Sequence, residues 1–105
     1  MAFLSKYVEP FMEALGQVDV ALDNHCPFDG KTEELIRFAL SIKARSAPCV
    51  RKHFRGAVNA GASKEDIAYT FALTMREAAG ADDCWTHSVI SDLVDIEPGQ
   101  TKGCS

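Results

Sequence analysis

The sequence predicts an all-α fold, a single-domain bundle of about five to six helices. Apolar residues recur at spacings of three and four along most of the chain, and no stretch alternates apolar and polar residues for long enough to predict a strand. Short turn signals separate the periodic stretches. The 105 residues are enough for one domain. We expect this domain to cover residues 1–97 and a flexible tail to cover residues 98–105, which are polar and rich in glycine.

The first helical pattern covers residues 3–22. Its apolar residues lie on one helix face: Leu4, Val8, Phe11, Met12, Leu15 and Val18. Because Pro10 lies inside the pattern, the helix either kinks there or begins anew just before it. Residues 23–30 contain asparagine, proline and glycine and are expected to form a polar turn.

The second predicted helix covers residues 31–44, and Glu33 and Glu34 lie in its first turn, where the helix dipole favours anions. Its buried stripe is expected to comprise Leu35, Phe38, Ala39 and Ile42. Ser46 is the predicted N-cap of a third helix, and Pro48 is suited to the first turn of that helix. The sequence Asn-Ala-Gly at residues 59–61 is a helix-stop signal.

A fourth helix is predicted to begin after Ser63, where Asp66 stands at the position of a capping box that more often holds Glu or Gln. Its expected apolar face comprises Ile67, Phe71 and Met75. Gly80 is predicted to end it, and Asp82 or Asp83 to cap a fifth helix. That fifth helix would carry Cys84, Trp85, His87, Val89, Ile90 and Leu93.

Composition excludes several classes of partner. The net charge is −4 and no basic stripe is present, so nucleic acid is not an expected partner. No apolar run approaches the roughly 20 residues of a membrane span. The N-terminus lacks a charged leader followed by an apolar block, so the protein is expected to be cytoplasmic. In that reducing compartment the four cysteines are expected to be thiols or metal ligands rather than a disulfide framework.

Cys49 is the leading candidate for chemistry. It lies about three residues into the predicted third helix, where unpaired backbone amides favour a thiolate. His53 follows one turn later on the same face and is within reach to exchange a proton with it. Ser46 could donate a hydrogen bond to the sulfur. A cysteine and a histidine at this spacing also occur in ordinary cores, so the spacing alone leaves a structural role open.

Three blocks of the sequence resemble the carboxymuconolactone decarboxylase / alkylhydroperoxidase-D family. They are Lys-Thr-Glu-Glu-Leu-Ile at residues 31–36, Ser-Ala-Pro-Cys-Val-Arg-Lys-His at 46–53 and Ala-Gly-Ala-Ser-Lys-Glu-Asp-Ile at 60–67. Family members show a Lys-Thr-x-Glu-Leu helix, a Cys-x-x-Cys-x-x-x-His segment and a Gly-Ala-(Ser/Thr)-x-Glu-Glu-Ile turn. The resemblance covers roughly residues 28–80. It implies a helical homo-oligomer, a trimer or a hexamer, with active sites near subunit contacts and with neither metal nor cofactor.

The resemblance also implies a proton relay. In redox-active members, the second cysteine of the pair is activated by the histidine and by a glutamate twelve residues before the first cysteine; the matching positions here are Cys49, His53 and Glu34. Without the resemblance, Glu34 would be interpreted as a residue that complements its helix dipole. The first cysteine of the pair is replaced by Ser46, so no disulfide can form within the motif. Ser46 could still take part in the proton relay.

A cycle with one catalytic cysteine remains open, in which a Cys49 sulfenate is resolved by another thiol. Candidate thiols are Cys84, Cys26, Cys104 or an external small thiol. Cys84 and His87 could also join Cys49 and His53 as zinc ligands by composition, but structural zinc sites have closer paired spacing, so a metal is not expected. The alternative for this segment is a capped, partly buried helix with Trp85 in the core or in an oligomer interface.

These observations favour a thiol-dependent oxidoreductase of the peroxidase type, peroxiredoxin-like in its chemistry. Its partners would be a small hydroperoxide and a thiol reductant. One alternative is a cofactor-free decarboxylase or lyase acting on a small lactone or carboxylate, with His53 and Glu34 as acid and base and with Arg45 or Arg51 binding carboxylate. A non-catalytic oligomeric ligand-binding domain is the other alternative.

Overall fold

The computed structural model describes residues 2–99 and contains five helices and no strand within them. The helices are α1 (Ala2–Tyr7), α2 (Glu9–His25), α3 (Gly30–Lys43), α4 (Ala47–Asn59) and α5 (Lys64–Ile90). The all-α prediction is therefore confirmed. Most of the predicted tail over residues 98–105 lies outside the described residues.

The first helical pattern is divided into two helices rather than kinked. Val8 has a non-helical backbone between α1 and α2, and Pro10 occupies the first turn of α2, where its missing N–H leaves no hydrogen bond unmade. The helix α2 then continues to His25, so only residues 26–29 form the turn that was predicted over residues 23–30.

The predicted break at Gly80 is wrong, because α5 runs without interruption through it. Its neighbours Ala78, Ala79 and Ala81 have the highest helix propensity of any residue type, and one interior glycine costs only about 1 kcal/mol. Asp82 and Asp83 therefore lie inside a helix and cap nothing.

The start of α5 is as predicted, since the Ser63 side chain and Asp66 close a capping box with two hydrogen bonds of 3.0 Å. The backbone N–H of Ser63 lowers the pKa of Asp66.

The core lies between α3, α4 and the beginning of α5. Its buried apolar residues are Phe38, Ala57, Ala62 and Ile67, with Leu35, Ile42 and Val50 packed against them. Ala57 is completely buried, and its small side chain lets α4 lie close to α3. Of the predicted apolar face of α5, Ile67 is buried, whereas Phe71 and Met75 are about half exposed. Thr74 is buried there instead and donates to the Thr70 carbonyl at 2.7 Å.

The turn between α3 and α4 places a non-glycine residue in the left-handed region. The N–H of Ser46 bonds to the Ser41 carbonyl and that of Arg45 to the Ile42 carbonyl, which is the Schellman arrangement of a helix C-terminus. Arg45 has φ +57° at the position where glycine is usual. The same arrangement ends α4, but there Gly61 occupies the left-handed position with φ +98°.

Replacing Arg45 with glycine is expected to stabilise the protein by about 0.5–1 kcal/mol. Relief of left-handed strain gains roughly 1–2 kcal/mol, and the larger entropy of an unfolded chain with glycine removes about 0.5–1 kcal/mol of this. Urea unfolding followed by far-ultraviolet circular dichroism measures the difference. Gly61→Ala is the matched comparison and is expected to lower the free energy of unfolding, because Gly61 has φ +98°. Equal changes in the free energy of unfolding for the two variants would contradict this account.

The helices α1 and α2 pack on each other and on no other described helix. As a result the chain measures 59 × 42 × 24 Å, and its Cα radius of gyration is 20.8 Å, compared with about 13 Å for a compact domain of 100 residues. Large apolar side chains of both helices are left about half exposed or more: Phe3, Tyr7, Phe11, Val18 and Leu22. None of the described helices is long and apolar enough to cross a lipid bilayer.

Candidate functional site

The packing of α3 against α4 brings Glu34 to His53, although the two residues are 19 positions apart in sequence. The Oε2 atom of Glu34 lies 2.8 Å from Nδ1 of His53, and His53 is 8% exposed. An ionised carboxylate can only accept hydrogen bonds, so Nδ1 carries the proton and donates. This fixes the orientation of the ring, and in a neutral imidazole it is Nε2 that then carries the lone pair, which is the arrangement of a general base oriented by a carboxylate.

Cys49 is an exposed free thiol in the first turn of α4. The N-cap of this helix is Ser46, as predicted, and its Oγ accepts from the backbone N–H of Cys49 at 3.4 Å. Ser46 therefore contacts the cysteine through the backbone rather than through the predicted bond to sulfur. His53 follows Cys49 by four residues, so the two side chains occupy neighbouring positions on one face of α4.

A small cavity joins three of the four predicted site residues. It has a volume of about 240 Å³ and contains Cys49, His53 and Ser46 in its wall together with Arg37, Leu40, Ser41 and Ala44. Glu34 lies outside it and lines a larger, more polar cavity of about 550 Å³. His53 and Arg37 contribute to both cavities, so the imidazole separates the space beside Cys49 from the space beside Glu34.

The segment from residue 8 to residue 89 matches the sequence model of the carboxymuconolactone decarboxylase family. The chain belongs to this family. The matched segment contains all of α2, α3 and α4 and therefore every residue of the site described above. The resemblance found in the sequence is thus confirmed, over a longer stretch than the three motif blocks covered. Comparison with curated proteins finds no significant match.

This family member carries a second polar cluster, which the sequence did not predict. Oε1 of Glu33 accepts from Nε and Nη2 of Arg37 at 3.1 Å each, and its Oε2 accepts from the Cys26 thiol at 3.2 Å. The hydrogen bond from Cys26 is the main cause that lowers the pKa of Glu33, followed by the bond from Arg37. The spacing of four between Glu33 and Arg37 was the available signal for the ion pair. This ion pair holds Arg37, which lines both the cavity beside Cys49 and the cavity beside Glu34.

The other predicted thiols differ in environment. Cys26 is half-buried, and its sulfur lies within hydrogen-bond distance of Oε2 of Glu33, at 3.2 Å, and of the Phe28 carbonyl oxygen, at 3.4 Å. Cys84 is an exposed free thiol on α5. Cys104 lies outside the described residues. The three described cysteines form no disulfide with one another.

Within residues 2–99, no group of three or more His, Cys, Asp or Glu side chains is arranged to hold a metal ion. Cys84 and His87 are therefore not joined to Cys49 and His53 as a zinc site. His87 instead pairs through Nε2 with Oδ1 of Asp83 at 3.1 Å, on an exposed surface. Trp85 is 68% exposed, so it does not pack in the core of this chain.

Proposed function

We propose that this protein is a thiol-dependent oxidoreductase of the peroxidase type, in which Cys49 is the nucleophile. The observation that carries the proposal is the 2.8 Å hydrogen bond between Glu34 and His53, one helical turn from Cys49. A histidine held by a carboxylate and placed beside a thiol is the arrangement that activates a cysteine nucleophile. Family membership supports the proposal, since alkylhydroperoxidase-like proteins are among its members.

The reaction begins when Nε2 of His53 accepts the proton of Cys49. The thiolate attacks the terminal oxygen of a hydroperoxide ROOH, the O–O bond breaks, and His53 returns the proton to the departing alkoxide. The sulfur is oxidised by two electrons to a sulfenic acid, and the peroxide is reduced to the alcohol ROH. Glu34 stabilises the imidazolium that exists between the two proton transfers.

A thiol reductant completes the cycle. Its sulfur attacks the Cys49 sulfenic acid, water leaves, and a mixed disulfide forms. The sulfur of a second thiol then attacks the reductant sulfur of this mixed disulfide. Cys49 is released as a thiol, and the two reductant sulfurs leave joined in a disulfide. Because Ser46 replaces the first cysteine of the family motif, the attacking thiol comes from elsewhere. The exposure of Cys49 supports an external small thiol, and the cavity of about 240 Å³ suits a small hydroperoxide. Such a cycle fits the reducing cytoplasm.

Selective alkylation of Cys49 tests the proposal. We expect iodoacetamide at pH 7 to modify Cys49 about tenfold faster than Cys84, because both thiols are exposed and Cys49 lies in the first turn of α4, where unpaired backbone amides favour a thiolate, whereas Cys84 lies in the interior of α5. Mass spectrometry of peptides reads both sites in one sample. His53→Ala and Glu34→Gln are expected to reduce the rate at Cys49 severalfold and to leave Cys84 unchanged.

His25→Ala is the matched control for the histidine substitution. His25 lies at the end of α2, and Nδ1 of its ring bonds to the Ala21 carbonyl at 2.9 Å. The rate at Cys49 should be unaffected by this change. Equal rates at Cys49 and Cys84 in the unaltered protein, or a Cys49 rate indifferent to His53 and Glu34, would refute the proposal.

A cofactor-free lyase or decarboxylase acting on a small carboxylate is the second candidate. The observation that favours it is the position of cationic side chains: Arg37 lines the cavity of Cys49 and His53, and Arg45 and Arg51 line a neighbouring cavity of about 400 Å³ that also contains Ser46. In that reaction Glu34 and His53 would move protons at substrate carbon, and Cys49 would take no part.

A further inference from the structure

Gly56 lies three residues after His53 in α4 and faces the carboxylate of Glu34. A Cβ atom placed on Gly56 would lie 2.5 Å from Oε2 of Glu34, 2.7 Å from its Cδ and 3.2 Å from its Oε1. Two of these separations are shorter than non-bonded carbon contacts allow. The carboxylate that bonds to His53 therefore occupies the space of a side chain that α4 lacks at this position.

Backbone conformation does not account for this glycine. Within residues 2–99, the glycines with positive φ are Gly61 and Gly99, so Gly56 adopts a backbone that any residue can adopt. In the interior of a helix, glycine is the least favourable residue apart from proline. Alanine at position 56 would thus have the higher helix propensity, whereas the nearest atoms it would meet belong to the Glu34 carboxylate.

We infer that Gly56 is a positioning residue for the Glu34–His53 pair, and that its missing side chain gives the Glu34 carboxylate the space to reach Nδ1 of His53. The inference rests on the proposed function for its consequence at Cys49. A methyl group at position 56 pushes the carboxylate away from α4 and lengthens its hydrogen bond to His53. The imidazole then loses the partner that fixes its tautomer.

The test compares Gly56→Ala with Gly16→Ala. Gly16 lies inside α2 and a Cβ there meets no atom within 4 Å, so it is a matched control for the effect of alanine on a helix. The imidazole ¹⁵N shifts of His53, assigned by comparison with His53→Ala, report the tautomer, and iodoacetamide reports the reactivity of Cys49. We expect Gly56→Ala to shift the His53 signals as Glu34→Ala does and to slow alkylation of Cys49 severalfold. Gly16→Ala should change neither.

The double variant Glu34→Ala/Gly56→Ala separates positioning from general disruption of the fold. Without the carboxylate, the three atoms nearest to a Cβ at position 56 are absent, so alanine there should raise the Tm above that of Glu34→Ala alone and leave the His53 signals unchanged. The inference is overturned if Gly56→Ala keeps the His53 signals of the unaltered protein while Glu34→Ala shifts them. An unreactive Cys49 in the unaltered protein would refute the proposed function instead, and the His53 signals would still decide the role of Gly56.

Discussion

Replacing Cys49 with serine is expected to abolish reduction of a small hydroperoxide, with a loss of at least about 1,000-fold, the scale on which removal of a catalytic nucleophile acts. Serine preserves the size of the side chain, and its hydroxyl is not oxidised by peroxide. The Glu34–His53 hydrogen bond and the Ser46 cap remain in place, because neither uses the sulfur atom. The measurement is the consumption of cumene hydroperoxide with dithiothreitol as the reductant.

Cys84→Ser is the control for this substitution, since Cys84 is the other exposed thiol among the described residues. It should retain turnover, because dithiothreitol itself attacks the Cys49 sulfenic acid. Retention of full peroxidase activity by Cys49→Ser would exclude the proposed mechanism. If the protein instead acts as a lyase on a small carboxylate, Cys49→Ser would spare that activity, whereas His53→Ala would remove it.

The second large effect concerns self-association. We expect light scattering coupled to size-exclusion chromatography to give a mass that is a multiple of the 11.4 kDa of one chain. Among residues 2–99, the helices α1 and α2 pack on each other and on no further helix, and four apolar residues are buried in the core. Burial of each large apolar side chain is worth about 1.5–3 kcal/mol, so we expect a second copy to cover the exposed apolar stripe of α2 and to stabilise the chain.

Phe11 and Leu15 test this interface, because they lie one turn apart on that stripe and are 54% and 40% exposed. Replacing both with glutamate is expected to reduce the measured mass and to make the remaining association dependent on protein concentration. Gln17→Glu, an exposed polar position of the same helix, adds charge without touching the stripe and should leave the mass unchanged. A mass of 11.4 kDa for the unaltered protein would contradict the prediction.

Features that depend on a few neighbouring residues were predictable from the sequence. The caps at Ser46 and Ser63 and the stop at Gly61 follow from the hydrogen bonds and backbone angles that those residues favour, and all three are found. Gly80 was misjudged because the helix propensity of the alanines around it outweighs the cost of one glycine.

Features that depend on contacts between helices were less predictable. Periodicity indicated an apolar face at Phe71 and Met75, but it could not indicate whether other helices of this chain cover that face. In the structure both side chains are about half exposed. The pairing of Glu34 with His53 joins two helices and has no local signature, so only the resemblance predicted that they act together. The cluster of Cys26, Glu33 and Arg37 was missed, because one of its bonds crosses the turn before α3.

The position of Trp85 has an optical consequence. The chain contains one tryptophan, and it lies 68% exposed in the second half of α5, beyond the last buried residue of that helix, Thr74. Its emission therefore responds to whatever covers that half of α5 and is insensitive to the packing of α3 against α4. Circular dichroism, by contrast, follows the helices themselves. Intrinsic fluorescence of this protein is thus a probe of what covers the second half of α5 rather than of the packing between α3 and α4.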